Sequence, residues 1–245
     1  MKKVLLFIVF CFVSLLCFAC NSANEKTGTK TPTPTSTGGA VIDDHKAEEV
    51  DDNIQTLIDT NGLFIKYEYH SESSDDEEDE DGVVAFGAKD NVFYISYGDE
   101  ETYIDLSSDT AMVVYTKYDD EWEKNTTEYS QYFTKETAME VSKSYALLVN
   151  SFMTMYQAYQ SIGATKTSDT VAGRSCDKYT TTMAAYGVSA TYSFSIDRET
   201  GACLKWEASG ASTEGSGAVT FTCVEFKTNY TITLPEAKEA SGYED

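Results

Sequence analysis

Two blocks of short alternating segments, separated by one long amphipathic stretch, constrain this chain more than any other feature. Within Leu63–His70, for example, Ile65 and Tyr67 fall on one side of an extended backbone and Lys66 and Glu68 fall on the other. This period of two is typical of strands with one covered face and one wet face in an antiparallel sheet. The predicted strands are Leu63–His70, Val83–Ala88, Asn91–Tyr97, Thr102–Leu106, Ala111–Tyr118, Ser175–Met183, Ala190–Ile196, Ala202–Ala208 and Ala218–Lys227.

The spacing of apolar residues also predicts two helices, over Asp43–Thr60 and Thr137–Ser161. The second is the longer, and its apolar residues recur every three or four positions. Thr137 and Glu140 have the spacing of a capping box at its start. A helix with so wide an apolar stripe must lie against something large, and a sheet face is the obvious partner.

The N-terminus has the organisation of an export signal. Lys2 and Lys3 precede Val4–Phe18, an apolar run of 15 residues interrupted only by Ser14. A membrane-spanning helix needs about 20 apolar residues, so this run predicts a signal peptide over residues 1–19. A Thr-, Ser- and Pro-rich stretch follows, and we expect residues 20–42 to form a flexible tether. Residues 43–236 are the predicted domain, and residues 237–245 are a predicted loose acidic tail.

The end of the signal, Cys17-Phe18-Ala19-Cys20, resembles the cleavage box of bacterial lipoproteins. The resemblance implies that Cys20 becomes the N-terminal residue and carries acyl chains such as palmitate. These chains would anchor the protein to the cell membrane or the outer membrane, since two or more chains hold stably. The alternative is an ordinary secretory signal with an accidental cysteine.

Charge and motif content exclude several functions. The chain has 41 acidic and 18 basic side chains, a net charge of −23, which argues against a nucleic-acid partner. Neither a phosphate-binding glycine loop nor a nucleophile motif is present, so we expect no enzyme and no cofactor. The acidic segment Glu72–Asp81 mimics the start of a calcium loop, but Ala88 stands where a bidentate Glu is needed. We therefore expect a solvated loop and no metal site.

Two local motifs and the order of elements resemble the Lol-type lipoprotein-carrier superfamily and the lipid-transport lipoproteins of mycobacteria. The motifs are Ala172–Tyr179, similar to a Gly-x-x-Cys-x-x-Tyr strand, and Ile196–Gly201, similar to an Asp-x-x-Thr-Gly hairpin. The resemblance covers residues from about 50 to 235. It implies an α+β, mainly β fold: a strongly curved antiparallel sheet, or open half-barrel, with one long and one shorter helix on the concave face. No catalytic residue is implied.

The resemblance further implies a hydrophobic cavity between sheet and helix that binds a lipid or an acyl chain, such as that of a lipoprotein. The alternatives are a filled core and a ligand-free surface or envelope-sensing interaction module. The candidate lining residues are Ile65, Tyr67, Tyr69, Phe93, Ile95, Met112, Val114, Phe152, Met153, Tyr156, Phe194, Leu204 and Trp206.

The predicted domain contains three cysteines: Cys176, Cys203 and Cys223. A hairpin between the last two predicted strands places Cys203 nearly opposite Cys223, both on the polar face, which favours a bridge between them. The resemblance implies instead a bridge between Cys176 and Cys203. Three reduced thiols are the third possibility.

Overall fold

The computed structural model describes residues 56–74, 79–139, 141–142, 163–185, 188–211 and 215–240. Within these ranges, residues 56–60, 135–139 and 141–142 are helical. The strands are β1 (Leu63–Ser73), β2 (Glu80–Lys89), β3 (Val92–Tyr97), β4 (Glu100–Asp105), β5 (Ala111–Tyr118), β6 (Glu121–Glu128), β7 (Thr165–Val171), β8 (Arg174–Ala185), β9 (Val188–Asp197), β10 (Cys203–Ala211), β11 (Ser216–Lys227) and β12 (Lys238–Glu239).

All these strands belong to one open sheet in the order β12-β6-β5-β4-β3-β2-β1-β11-β10-β9-β8-β7. Strands β1–β6 form one meander and β7–β11 form another, and the pairing of β1 with β11 joins them. Every pair is antiparallel except β12 with β6, which is parallel. The mainly β architecture with a large antiparallel sheet that does not close into a barrel, expected from the sequence, is thus confirmed.

The sheet is strongly curved in its second half. Cα atoms of β7 and β11 approach within 8 Å of each other, although β8, β9 and β10 lie between them. In a flat sheet, four strand spacings of about 4.8 Å would hold them about 19 Å apart. The Arg174 guanidinium carbon lies 4.9 Å from the centre of the Phe226 ring, a contact between β8 and β11 that only such curvature permits.

Three strands were not predicted. The sequences of β6 and β7 are EWEKNTTE and TKTSDTV, and most of their residues are exposed or half-buried. Strand β7 is an edge of the sheet, and β6 is covered on its outer side only by the two residues of β12. Strands at an edge need no apolar face and are commonly polar, so alternation gives no indication of them.

The helix predictions are tested only in part. Residues 43–55 and 143–162 lie outside the described residues, so the predicted lengths stay predictions. The second helix begins earlier than expected, because residues 135 and 136 are already helical. Thr134, rather than Thr137, caps it: the Thr137 N–H donates to the Thr134 hydroxyl at 3.3 Å. This is the bond of an N-cap residue to the third helical position.

A strap of residues 228–240 crosses the sheet after β11. The Tyr230 N–H donates to the Asn61 carbonyl at 3.0 Å, and the Tyr230 ring lies against the Phe64 ring with centres 4.9 Å apart. A Cβ at Gly87 would stand 2.7 Å from the Tyr230 ring, so only glycine lets that ring lie on the strand.

The strap ends at β12, which changes the expectation of a loose tail over 237–245. Residues Lys238 and Glu239 pair with β6, and their side chains form ion pairs with Glu121 and Lys124 at 2.7 and 2.8 Å. Residues 237–240 are therefore held at the edge of the sheet, because β6 offers unpaired backbone groups there. Residues 241–245 lie outside the described residues.

The two family-like motifs meet in one buried polar cluster. Arg174 donates from Nε and Nη2 to the two carboxylate oxygens of Asp197, both at 2.9 Å. The same carboxylate accepts from the Thr200 N–H at 2.9 Å and the Thr200 hydroxyl at 2.7 Å. Burial alone would raise the pKa of Asp197, yet the bonds from Arg174 and Thr200 outweigh burial and hold that pKa below its usual value. The ionised carboxylate therefore fixes the β9–β10 hairpin to the start of β8.

Replacing Asp197 with Asn is expected to lower the free energy of unfolding by about 2–4 kcal/mol, because a buried ion pair loses one partner. Since the folded-state pKa lies below the unfolded value of about 3.9, this stabilisation is full above that pH. It is lost as the pH falls through the folded-state pKa. Urea unfolding at a series of pH values measures both effects.

The matched control is Asp109→Asn. Asp109 also accepts from a cation, Lys135 at 2.7 Å, but its side chain is 93% exposed. Exposed pairs contribute little, so this variant should unfold like the parent protein. Equal stability of the Asp197→Asn variant and the parent would contradict the role given to Asp197.

Candidate functional site

A row of aromatic rings crosses five adjacent strands on one face of the sheet. Cross-strand pairing places its members side by side, from β8 through β9, β10 and β11 to β1. In order they are Tyr179, Phe194, Trp206, Phe221 and Tyr69. Ring centres are 5.6 Å apart for Trp206 and Phe221 and 5.5 Å apart for Phe221 and Tyr69. We call the side of the sheet that carries this aromatic row the apolar face.

Aliphatic side chains continue the apolar face over the first meander. Ile65 on β1 is opposite Phe86 on β2, which is opposite Ile95 on β3. One step along the strands, Phe93 is opposite Ile104, which is opposite Val114. The apolar face therefore extends from β8 to β5 without a break at the junction of the two meanders.

The structure brings together the predicted lining residues that it describes, all on the apolar face. Seven of them are buried: Ile65, Tyr67, Tyr69, Phe93, Phe194, Leu204 and Trp206. Three are half-buried: Ile95, Met112 and Val114. The remaining three, Phe152, Met153 and Tyr156, lie outside the described residues. A cavity along this face therefore stays a prediction.

Sequence reasoning missed several members of the same face, above all Tyr179, Phe221 and Phe86. All three lie within predicted strands, and all three are buried. The period-two rule identifies each of them once one residue of the strand is assigned to the apolar face. Tyr179 is two positions from Thr181, and Phe221 is two positions from Val219. Thr181 and Val219 are both buried, so alternation along the strand could have identified the two rings.

The apolar row ends at a polar rim open to solvent. The Tyr69 hydroxyl donates to the Glu80 carboxylate at 3.0 Å and lies 2.8 Å from the Tyr97 hydroxyl. Tyr97 is 39% exposed. Burial, followed by the hydrogen bonds to Tyr97 and Glu80, raises the pKa of Tyr69, so the phenol stays neutral.

The opposite side of the sheet, which we call the wet face, carries hydroxyl and charged groups in the second meander. The Thr182 and Thr191 hydroxyls are 3.0 Å apart, and those of Thr180 and Ser193 are 2.9 Å apart. Lys178 donates to Glu207 at 2.6 Å. This face of the second meander is therefore polar, as the alternation predicted, although Ser193 is buried.

The cysteines lie elsewhere than expected. Cys203 and Cys223 were placed on the polar face, but their exposures are 0% and 1%, and Cys176 is also buried at 0%. The register shifts between Cys203 and Lys205 on β10, and again where Tyr67 pairs with Cys223 on β11. A β-bulge changes which face the next residue occupies, and simple alternation cannot anticipate that change.

The three thiols are free in the structure, and two of them, those of Cys203 and Cys223, lie near Tyr67. The Tyr67 hydroxyl donates to the Cys203 carbonyl at 2.7 Å, and Tyr67 pairs directly with Cys223. Burial raises the pKa of Cys176 to about 11 and that of Cys223 to about 12, and it raises the pKa of Cys203 as well. Each thiol is protonated at neutral pH and is therefore a poor nucleophile. Both disulfide pairings stay predictions.

The described residues contain no group of three or more His, Cys, Asp or Glu side chains arranged to hold a metal ion. His70 lies 2.6 Å from the Asp81 carboxylate on an exposed part of β1, and His45 lies outside the described ranges. Among the residues that the structure describes, no helix is long and apolar enough to cross a membrane.

Comparison with known proteins finds no matching family model and no matching curated protein. One similar solved structure is a DUF1329 family protein from Desulfovibrio piger ATCC 29098, with 8% identity, 76% of this chain and 95% of that chain covered, and a TM-score of 0.26. Another is an outer membrane lipoprotein-sorting protein domain from Vibrio parahaemolyticus, with 8% identity, coverages of 74% and 93%, and a TM-score of 0.22. At such low scores, neither likeness carries an argument about fold or function.

If the chain is exported to an oxidising compartment, we expect a Cys203–Cys223 disulfide with Cys176 left as a thiol. Mass spectrometry of a non-reduced digest should show that linked pair, and Cys176→Ser should retain it. Reduction should lower the free energy of unfolding by about 3 kcal/mol, because the bridge closes a loop of about 20 residues. Three alkylatable thiols in the unfolded, non-reduced protein would contradict both pairings.

Proposed function

We propose that this chain is an exported lipoprotein, held at a membrane by acyl chains on Cys20, whose domain binds an apolar ligand such as a lipid or acyl chain along the apolar face. The observation that carries the proposal is the aromatic row. Measured along the curved sheet and not straight across it, its five strands span four spacings, or about 19 Å. One lipid tail crosses about half of a 30 Å hydrocarbon core, so the row is long enough to lie along a tail.

The chemistry along the row supports an amphiphilic ligand. Aromatic and aliphatic side chains give a continuous apolar path, and burial of each CH₂ group against such a path contributes about 0.8 kcal/mol. The rim formed by Tyr69, Glu80 and Tyr97 supplies hydroxyl and carboxylate groups at the solvent-exposed end. A ligand with an apolar tail and a polar head would satisfy both regions, whereas a pure hydrocarbon would leave the rim unused.

The proposed lipid anchor bears on whether the protein carries its ligand between membranes or binds it at one membrane. A protein whose own N-terminus is acylated cannot shuttle freely between membranes, so a receptor-like role at one membrane suits it better than ferrying. The net charge of −23 would be repelled by an anionic bilayer and would hold the domain away from the surface on its tether. The proposal contains no catalytic step and no cofactor.

The two tryptophans allow a direct test, because Trp206 lies in the aromatic row and Trp122 lies on the wet face. In the unlipidated Cys20→Ser chain carrying Trp122→Phe, Trp206 is the only tryptophan, and excitation at the red edge of the absorption band selects it over the tyrosines. Bromine on a fatty acid quenches tryptophan at short range. A brominated fatty acid should therefore reduce Trp206 fluorescence saturably, and the unbrominated acid should compete.

The matched control is the Cys20→Ser chain carrying Trp206→Phe, in which only Trp122 reports. Because the sheet separates Trp122 from the apolar face, the brominated acid should leave its fluorescence unchanged. Equal quenching of the two reporters, or quenching of neither, would count against a ligand on the apolar face. The interaction module without a ligand would then be favoured.

The anchor is tested separately. With its native Cys20, the protein should partition into the detergent phase and gain label from a fatty-acid precursor. The Cys20→Ala variant should lose both properties, whereas Cys17→Ala should keep them. Detergent partitioning and labelling that persist in Cys20→Ala would contradict acylation at this residue.

A further inference from the structure

A pocket of about 640 Å³ opens on the wet face of the first meander, on the opposite side from the aromatic row. Its volume lies within the range of small-molecule sites. Ala85, Phe64 and Tyr94 form its floor, and the turns at Asp99 and Asp119 form part of its wall. We call it the outer pocket. It lies entirely within the described residues, and the proposed lipid site does not use it.

The floor of the outer pocket is aromatic, in contrast to the hydroxyl-bearing wet face of the second meander. The Phe64 and Tyr94 rings are stacked with centres 6.3 Å apart, and both are half-buried. Beyond the pocket the stack continues from Tyr94 to Tyr103, with centres 4.9 Å apart, and from Tyr103 to Trp122, with centres 5.2 Å apart. A contiguous group of half-exposed rings on a polar face is one mark of a binding surface.

The wall of the outer pocket is strongly acidic. Five carboxylates and two ammonium groups line the pocket, so its formal charge is −5 + 2 = −3. Two of the carboxylates are neutralised locally: Glu101 accepts from Lys117 at 2.8 Å, and Glu225 pairs with Lys227 at 2.5 Å. The other three, Asp99, Asp119 and Asp120, form no hydrogen bond and no ion pair within 4 Å among the described residues, although the pKa of Lys117, which its hydrogen bond to Glu101 raises most, is also raised by the charges of Asp120 and Asp99. Their charge is available to a ligand.

One cation already lies on this floor. The ammonium nitrogen of Lys227 is 5.4 Å from the centre of the Phe64 ring, within the range of a cation–π contact. The Tyr94 hydroxyl donates to the Glu101 carboxylate at 3.1 Å. This bond fixes the orientation of the Tyr94 ring in the pocket. The pocket therefore combines the two groups that attract an organic cation, a ring face and free carboxylates.

We propose that the outer pocket binds a small organic ammonium ion, with its apolar groups on the Tyr94 ring and its charge towards Asp99, Asp119 and Asp120. Anions are repelled by the net negative charge. A bare metal ion gains nothing from an apolar floor and prefers a closed shell of oxygen ligands. The ring face favours a cation that carries alkyl groups.

Choline and its uncharged carbon analogue, 3,3-dimethylbutan-1-ol, are the probes, titrated by NMR into the Cys20→Ser chain. Choline should bind, the analogue should not, and choline affinity should fall with added salt. Tyr94→Leu should weaken choline binding about tenfold, because it removes a cation–π contact, whereas Tyr94→Phe should keep most of it. The triple variant Asp99→Asn, Asp119→Asn, Asp120→Asn should also weaken binding about tenfold or more.

Asp90→Asn is the matched control, because Asp90 is an acid in a left-handed turn position, as Asp119 is, but lies outside the pocket. It should bind choline like the parent chain. Equal binding of choline and its carbon analogue, or an unchanged choline affinity in the triple Asn variant, would overturn the proposal. Equal affinity for calcium ions would do the same. None of these outcomes bears on the apolar face, so the two sites succeed or fail independently.

Discussion

The burial of one face of a single large sheet is the constraint on which the rest of this structure depends. The aromatic row crosses the β11–β1 junction, where Phe221 on one meander lies against Tyr69 on the other. Because the apolar face is continuous across that junction, the two meanders share one hydrophobic layer although no short connection joins them. Burial of aromatic area is the largest favourable term available to such a sheet. The buried polar cluster at Asp197 then fixes the curved end of the second meander.

Much of this architecture could be predicted from alternation alone. The period of two placed Ile65, Tyr67 and Tyr69 on one face, and the same rule placed Phe194 and Trp206 there. Strands β6 and β7 were not predicted, because strands at or near an edge of a sheet need no apolar face and so show no alternation. The cysteines were misplaced for a different reason: bulges beside Cys203 and Cys223 shift the alternation, and a bulge depends on pairing partners distant in sequence.

The apolar face could be predicted from the sequence, whereas the outer pocket could not. Membership of the apolar face follows from local pattern, so most of its residues could be named in advance. The outer pocket could not be, because it depends on the cross-strand stacking of Phe64 and Tyr94 and on two turns that are about 20 residues apart in sequence. The strap was also unexpected, since the place of Tyr230 depends on the missing side chain of Gly87. We propose that part of the net charge of −23 attracts cations at the outer pocket.

The central claim is that the apolar face holds a ligand as well as forming a core. Native mass spectrometry of the unlipidated Cys20→Ser chain, purified without detergent, tests it most directly. The prediction is a protein peak that carries an additional mass of one lipid or fatty acid, which solvent extraction removes and added lipid restores. A single peak at the mass of the polypeptide alone, unchanged after incubation with lipid, would contradict the claim.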